Sequence, residues 1–344
     1  KSESIKTERI AGVSLREPAG VLLHCERCAP QRIQRLAGAF TTMRTLLLLT
    51  LRACTTHGLA LNRRQALGGS AAAALATGAP ALAASNPIAV IGSGGRTGSL
   101  CVAACLKRGL AVKALSRSGS APPGVDADPL LSIAACDVRD PSTINVAGAG
   151  AVIYAASGSK KGGSPHEVDN LGVVNAAKAC VAAKVPRLVV ISSTAVTRPN
   201  SLGYKFTDVY GKIMGEKKLG EDGVYATYAG SDLAYTIIRP GGLEEPKENI
   251  VQGPGALEIS QGDALAGIIS RKDLAEVAVE AAALGSGPLL KDASFELYYT
   301  KGAQPCEGKF KKLLADEAFP RLHGDSYAAL FKGVRRDGTY DVPA

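Results

Sequence analysis

An apolar run that ends in a cluster of glycines, residues 88–98 with the sequence IAVIGSGGRTG, constrains the fold of this chain most. The run predicts a buried strand, and the alanine- and leucine-rich stretch after it predicts a helix over residues 97–108. Gly92 would make the tight turn, Gly95 would let the backbone approach a phosphate, and Gly98 would let the helix pack closely on the strand. Amide groups at the start of a helix favour anions. We therefore predict that a pyrophosphate binds at this turn.

Strand-like and helix-like segments alternate through the rest of residues 86–344. This alternation predicts an α/β fold with a doubly wound parallel sheet of the Rossmann type, in a single domain with a small C-terminal extension on the substrate side. After the first strand, the predicted strands cover residues 110–118, 131–138, 149–157, 186–193, 234–239, 257–260 and 294–299. The further predicted helices cover residues 167–183, 208–228 and 272–284, with short ones at 310–314 and 326–331.

The first 84 residues resemble a targeting leader. From Met43 the sequence runs through an apolar stretch to small residues, as in a secretory signal. Arg63 and Arg64 then precede an alanine-rich run with a small-residue processing site, as in a twin-arginine export signal. We therefore predict a leader over residues 1–84 that directs the protein to a plastid and onward to the thylakoid lumen or membrane. A transmembrane anchor over residues 66–84 is the alternative, because that stretch is about long enough to cross a bilayer.

The basic character of the chain belongs mostly to this leader. Residues 1–84 hold 11 of the 40 Lys and Arg and 4 of the 31 Asp and Glu, so +7 of the net charge of +9 lies there. The remainder has no basic stripes interleaved with aromatic residues, so we predict no nucleic-acid partner. The four histidines show no metal-ligand spacing, and we predict no metal site.

Seven motifs occur along the chain in the order GSGGRTG, CDVRD, VIYAAS, VVISS, KKLGE, YTIIRPGGL and ISRKDLAEVAVEAAAL. They resemble the motifs of the atypical short-chain dehydrogenases. Within that group, the resemblance is to NmrA-like proteins and to NAD(P)-binding plastid proteins similar to the dehydrogenase-like component of the inner-envelope translocon. It spans about residues 88–297, and it implies a dinucleotide site without by itself implying turnover.

The choice of dinucleotide follows from charge near the second strand. An NAD site of this kind has Asp or Glu about 20 residues after the glycine motif, whereas arginine there suits the 2′-phosphate of NADP. No acidic residue lies between Glu26 and Asp126, and the second predicted strand ends in Ser116, Arg117 and Ser118. Arg96 in the glycine loop is a second candidate cation, so NADP(H) is favoured over NAD. The alternative is that Arg117 is only a solvated strand end.

The resemblance extends the predicted cofactor site beyond the glycine loop. By similarity, Asp137 and Val138 would lie at the adenine, and Ala155 and Ala156 beside the ribose. The predicted loop itself comprises Gly92, Ser93, Gly95, Arg96, Thr97 and Gly98.

The resemblance also supplies candidate catalytic residues. Dehydrogenases of this superfamily use a Ser or Thr after the fifth strand and a YxxxK pair, in which tyrosine transfers the proton and lysine holds the ribose. Ser193 fits the first role, with Thr194 as an alternate, and Lys217 fits the lysine.

The tyrosine of this pair is missing, because its position falls on Ile213. Tyr210 lies one helical turn earlier in the predicted helix and could reach the same face, and Tyr204 is a weaker candidate. Alternatively, Ser193 only pairs with hydrogen-bonding groups at the end of the strand, and Lys217 only holds the ribose.

Two functional classes therefore stay open. One is an NADP-dependent oxidoreductase that acts on a small carbonyl, quinone or isoprenoid-like compound in the plastid. The other is a non-catalytic protein that senses NADP(H) or tethers a partner, such as a photosynthetic complex, to the thylakoid membrane.

Overall fold

The computed structural model of the chain describes residues 86–244 and 251–343. The predicted leader lies outside these residues. The described residues form thirteen strands: β1 Ile88–Ile91, β2 Val112–Ser116, β3 Leu131–Ala135, β4 Ala151–Tyr154, β5 Arg187–Ile191, β6 Ala234–Pro240, β7 Gly242–Glu244, β8 Leu257–Ser260, β9 Leu265–Ala266, β10 Ile268–Ser270, β11 Ala293–Tyr299, β12 Gln304–Pro305 and β13 Arg321–Leu322. The α-helices there are α1 Gly98–Lys107, α2 Val173–Ala182, α3 Leu202–Asp208, α4 Ile213–Tyr228, α5 Arg271–Ala283 and α6 Tyr327–Phe331.

The main sheet has the strand order β13-β8-β11-β6-β5-β4-β1-β2-β3. The seven strands from β11 to β3 are parallel, and β8 and β13 extend that edge with antiparallel pairing. Ile88 of β1 pairs with Val112 of β2 on one side and with Ala151 of β4 on the other. In the sheet, β2 and β3 lie on one side of β1, and β4, β5 and β6 lie on the other. This change of side opens a crevice beyond the carboxyl ends of β1 and β4. The predicted doubly wound fold is confirmed.

Two apolar layers cover the faces of this sheet. α1 and α5 pack on one face, and α2 and α4 pack on the other. β1 and β4 are buried along their whole lengths, as expected for strands with helices on both sides. Their sequences, IAVI and AVIY, are accordingly continuous apolar runs rather than alternating ones.

The predicted helix over residues 208–228 is interrupted. α3 ends at Asp208, and Gly211 and Lys212 adopt left-handed backbone conformations, with φ of +57° and +56°. α4 then begins at Ile213, and the Asp208 carboxylate accepts a hydrogen bond from the Met214 amide at 2.9 Å. Residues 208–228 are thus largely helical, as predicted, but the helix begins only at Ile213 because the left-handed Gly211 and Lys212 interrupt the backbone before it.

The second departure is a wide turn at the start of the predicted helix over residues 167–183. Residues His166–Gly172 form a π-helical segment that leads into α2. Such segments are frequent at functional sites because they redirect side chains from the regular helical face.

Two small sheets form the predicted C-terminal extension. β7 pairs with β10 and β9 pairs with β12, and residues of all four strands line the crevice. None of the described helices is long and apolar enough to cross a membrane.

Candidate functional site

A cleft of about 1130 Å³ opens at the carboxyl ends of β1, β4, β5 and β6. It runs from the glycine loop to the C-terminal extension, so its walls come from both halves of the described chain. Single-ligand sites typically measure about 300–1,000 Å³. The cleft lies slightly above this range, which suits a ligand as large as a dinucleotide. Its walls comprise residues 96–97, 155–157, 191–195, 200–203, 207, 213, 217, 240–243, 266–268, 271 and 304–309.

Two positions of the glycine loop, Gly92 and Gly98, have no space for a side chain. Gly92 has φ +85°, and a Cβ there would lie 2.6 Å from the amide nitrogen of Ala156. A Cβ on Gly98 would overlap the Gly92 carbonyl, at 2.7 Å from its carbon. These contacts require glycine at both positions, as expected for a tight turn at Gly92 and for close helix packing at Gly98.

Gly94 and Gly95 are both exposed in this loop. A Cβ on Gly95 would lie 3.2 Å from the Gly92 carbonyl oxygen, inside the turn, whereas a Cβ on Gly94 would meet only Ser116 Cβ at 3.7 Å. The close approach of a phosphate to Gly95 stays a prediction. Gly94 was not among the predicted site residues, and its exposure makes it a second candidate for this contact.

Two serines at this edge of the sheet carry buried hydroxyl groups without a hydrogen-bond partner. They are Ser93 in the glycine loop and Ser192 in the cleft wall. Thr97, at the start of α1, likewise makes no side-chain capping bond. Buried polar groups are nearly always paired, so such hydroxyls point to a ligand that supplies the partner. Together with the helix N-terminus, these groups fit the phosphates and ribose of a dinucleotide.

Positive charge surrounds the end of β2. Arg117 is exposed at that end and donates a hydrogen bond to the Lys161 carbonyl at 2.8 Å. Asp137 follows β3, and Arg139 donates to its two carboxylate oxygens at 2.9 and 2.6 Å. This bonding holds the pKa of Asp137 below its usual value. Val138 is buried, and its carbonyl accepts a hydrogen bond from Nδ2 of the Asn175 side chain at 3.0 Å.

Ala155 and Ala156 follow β4 and line the cleft. The Ala155 amide donates to the Ile91 carbonyl at 2.9 Å, and Ala156 lies against Gly92. Their small side chains leave the cleft open between the glycine loop and β5.

Ser193 and Thr194 follow β5 and also line the cleft. The Ser193 hydroxyl donates to the Thr194 carbonyl at 3.2 Å, and Thr194 is buried. The next turn is fixed by Asp263, whose carboxylate accepts bonds from the amides of Ala195 at 2.5 Å and Thr197 at 2.7 Å. Burial raises the pKa of Asp263. Asp263 therefore fixes the backbone that directly follows Ser193 and Thr194.

Lys217 extends from α4 into the cleft, where its Nζ lies 2.7 Å from Asp169 Oδ1. Asp169 is fully buried within the π-helical segment and also accepts bonds from Ser157 Oγ at 2.8 Å and from the Gly158 amide at 2.7 Å. Asp169 was not among the predicted site residues. The signal for it is an acidic residue on the apolar side of a predicted helix.

Tyr210, the predicted proton donor, is not among the described residues that line the cleft. Ile213 does line it, so the tyrosine position is occupied by an apolar side chain. The expectation that Tyr210 shares a helical face with Ile213 is wrong, because Lys212 turns left-handed between them. Tyr204 faces a separate groove, beside Val196 and Lys212.

A buried ion network lies beneath the cleft floor. Arg239, just before the cleft residues 240–243, donates to Glu221 at 3.1 and 2.8 Å and to Glu296 at 3.3 Å. Burial and the nearby charge of Asp263 raise the pKa of Glu296 to about 8. Within residues 86–244 and 251–343, no group of three or more His, Cys, Asp or Glu side chains is placed to hold a metal ion.

Comparisons with known proteins agree with this architecture. A family model described as NAD(P)H-binding matches residues 92–283, more than half of the chain. An uncharacterised chloroplast protein of Arabidopsis thaliana is 33% identical over 211 residues, which cover 56% of this chain and 70% of that protein. The chloroplast protein TIC 62 of Oryza sativa subsp. japonica is 25% identical over 231 residues, 60% of this chain and 46% of that protein.

A solved structure supports the same fold. The oxidoreductase ylbE of Lactococcus lactis superposes with a TM-score of 0.51 at 20% identity, over 68% of this chain and 99% of its own. This chain therefore belongs to the NAD(P)H-binding family, and it carries the Rossmann fold of the atypical short-chain dehydrogenases that its motifs resemble.

Proposed function

We propose that the protein is an NADP(H)-dependent oxidoreductase that acts on a small, apolar carbonyl, quinone or isoprenoid-like compound in a plastid. The observation that carries this proposal is the continuity of the cleft. One volume of about 1130 Å³ joins the glycine loop to Ser193, Lys217 and the C-terminal extension. A protein that only bound a dinucleotide would not need the part of this volume beyond the cofactor.

The preference for NADP rests on the charges at the end of β2. Arg117 is the first residue after β2. The carboxylate of Asp137 is already hydrogen-bonded to Arg139. A ribose 2′-phosphate there would meet a guanidinium rather than a free carboxylate, and guanidinium groups bind phosphate with paired hydrogen bonds.

The nature of the substrate is inferred from the cleft beyond Ser193. This part of the wall carries large apolar side chains, among them Leu202, Ile213, Leu243 and Ile268. It also carries polar ones, among them Asn200, Arg271, Gln304 and Glu307. Such a mixed lining suits a compact molecule with an apolar body and one reactive oxygen or double bond.

The chain's own residues would bind and orient such a molecule. A bound nicotinamide would supply a hydride. Ser193 would donate a hydrogen bond to the acceptor oxygen of the substrate, and Lys217, held by Asp169, would position the ribose hydroxyls. Ile213 carries no proton, so the proton for the substrate would come from water that enters the open cleft.

Support for a plastid location comes from the relatives. Both curated relatives reported above are chloroplast proteins, and the predicted leader over residues 1–84 has the order of signals expected for import. Delivery to the thylakoid lumen or membrane is part of this proposal.

The second candidate function is non-catalytic NADP(H) sensing or tethering of a partner at the thylakoid. The observation that favours it is the cleft position of Ile213 together with the placement of Tyr210 outside the lining. A sensor would keep the cofactor contacts and need no proton donor.

NADPH consumption against a panel of quinones, enones and aldehydes separates the two functions. We expect turnover with at least one compound. Ser193→Ala should lower that turnover at least tenfold while leaving NADPH affinity nearly unchanged, because the hydroxyl acts on the substrate.

Tyr210→Phe is the matched control, since this tyrosine lies outside the cleft lining and should not affect turnover. Tight NADPH binding without turnover across the whole panel would favour the sensing function. Equal turnover by wild type and Ser193→Ala would remove the role assigned to Ser193.

A further inference from the structure

The three most exposed large apolar side chains in the described part of the chain lie close together in sequence. Leu202, Phe206 and Val209 are 70%, 78% and 84% exposed. Their spacing of four and three residues puts them on one face of α3 and the turn that follows. Contiguous apolar exposure of this kind marks an interaction surface.

The opposite side of α3 is held firmly. Ser201 caps the helix by accepting a bond from the Tyr204 amide at 3.1 Å, and Tyr204 packs beside Met214. Asp208 turns inward to accept the Met214 amide at 2.9 Å. Val209 keeps helical angles, with φ −55° and ψ −32°, so the apolar face continues past the last residue of the helix. The apolar face is thus fixed outward.

Lysines flank this apolar face on both sides. Lys205 and Lys212 are exposed on the segment itself, where the acidic Asp208 faces inward. Across the mouth of the cleft, the short helix Gly308–Leu314 carries three exposed lysines, one of which, Lys309, lies 3.4 Å from the Glu307 carboxylate. Leu202 and Lys309 line the same cleft, so the apolar face and the lysines surround its entrance. The lysines of the short helix are Lys309, Lys311 and Lys312.

We propose that Leu202, Phe206 and Val209 insert into the surface of an anionic lipid bilayer, with the flanking lysines on its headgroups. An apolar ridge between basic residues is the arrangement that interfacial helices use, because acyl chains take the apolar side chains and anionic headgroups take the lysines. A protein partner would need matching acidic groups around an apolar pocket. The docking surface does not depend on the proposed reaction.

Such docking would turn the entrance of the cleft toward the bilayer. An apolar substrate dissolved in the membrane could then reach Ser193 without crossing water. Only this consequence rests on the proposed function.

The absence of tryptophan from the whole sequence makes a site-specific test possible. Phe206→Trp in the whole chain places one fluorophore on the apolar face, whatever residues 1–84 do. With vesicles of phosphatidylcholine and phosphatidylglycerol, we expect a blue shift of its emission and quenching by lipids brominated on the acyl chains. The matched control is Leu130→Trp beside the edge strand β3, at a side chain 40% exposed, which should show neither change.

The contribution of the lysines to membrane binding has its own test. Lys205→Glu and Lys212→Glu, made in the Phe206→Trp chain, should each lower vesicle affinity at least about fivefold, and vesicles of phosphatidylcholine alone should bind more weakly. Absence of quenching at position 206, even if the vesicles capture the chain, would overturn the proposal. A blue shift without lipid, together with a dimer in sedimentation velocity, would also overturn it and assign the surface to a second copy.

Discussion

Gly98→Ala perturbs the glycine loop at its tightest contact. Glycine to alanine inside a helix ordinarily stabilises by about 1 kcal/mol. Here the new Cβ would overlap the Gly92 carbonyl, at 2.7 Å from its carbon and 3.0 Å from Ser93 Cα. These are backbone atoms, which cannot rotate away, so the overlap should cost about 3 kcal/mol, near the upper end for overpacking. The net loss of about 2 kcal/mol should lower Tm by about 4–8 °C.

The assay is thermal unfolding without cofactor, beside NADPH titration. Gly94→Ala is the control in the same loop, because its Cβ would meet only Ser116 Cβ at 3.7 Å. It should change stability by no more than about 0.5 kcal/mol. Gly98→Ala should also weaken NADPH binding, since α1 must move away from the turn. If Gly98→Ala were as stable as wild type and bound NADPH equally well, the account of this loop would be wrong.

Three further predictions concern charged residues. Arg117→Asp should weaken NADPH binding about tenfold or more and leave NADH binding almost unchanged, as read by titration, whereas an equal loss for both would refute the 2′-phosphate contact. Asp169→Asn should destabilise by about 3–5 kcal/mol because Lys217 loses its buried partner, and the double variant with Lys217→Met should lose less than the sum of the single changes; additivity in denaturant unfolding would contradict the pairing. The raised pKa of Glu296 favours its protonated form in the folded state, so its contribution is present below about pH 4.5 and is lost as pH rises through about 8. Between these values the free energy of unfolding should therefore fall more steeply in wild type than in Glu296→Gln, and parallel pH profiles would count against this.

The features that could be predicted from sequence are the ones set by local rules. The glycines of the turn are restricted by positive φ and by backbone contact, and the central strands are continuous apolar runs because helices cover both faces. Ser193 and Lys217 came from the resemblance to the dehydrogenase motifs, and both line the cleft.

The features that could not be predicted depend on contacts distant in sequence or on irregular backbone. Tyr210 was misplaced because nothing in the apolar pattern showed that Lys212 would turn left-handed. Asp169 was missed because its role depends on a π-helical turn and on Lys217, 48 residues away. Residues 304–309 complete the cleft from the far end of the chain, where no local motif marks them.

Titration of the whole chain with NADPH and with NADH measures both the presence of the dinucleotide site and its preference. We expect saturable NADPH binding at one site, at least about tenfold tighter than NADH binding, since a guanidinium contact to the 2′-phosphate favours NADPH. We also expect Gly98→Ala to weaken this binding. Equal affinity for the two dinucleotides would contradict the assignment of NADP, and no binding of either would contradict the proposed function itself.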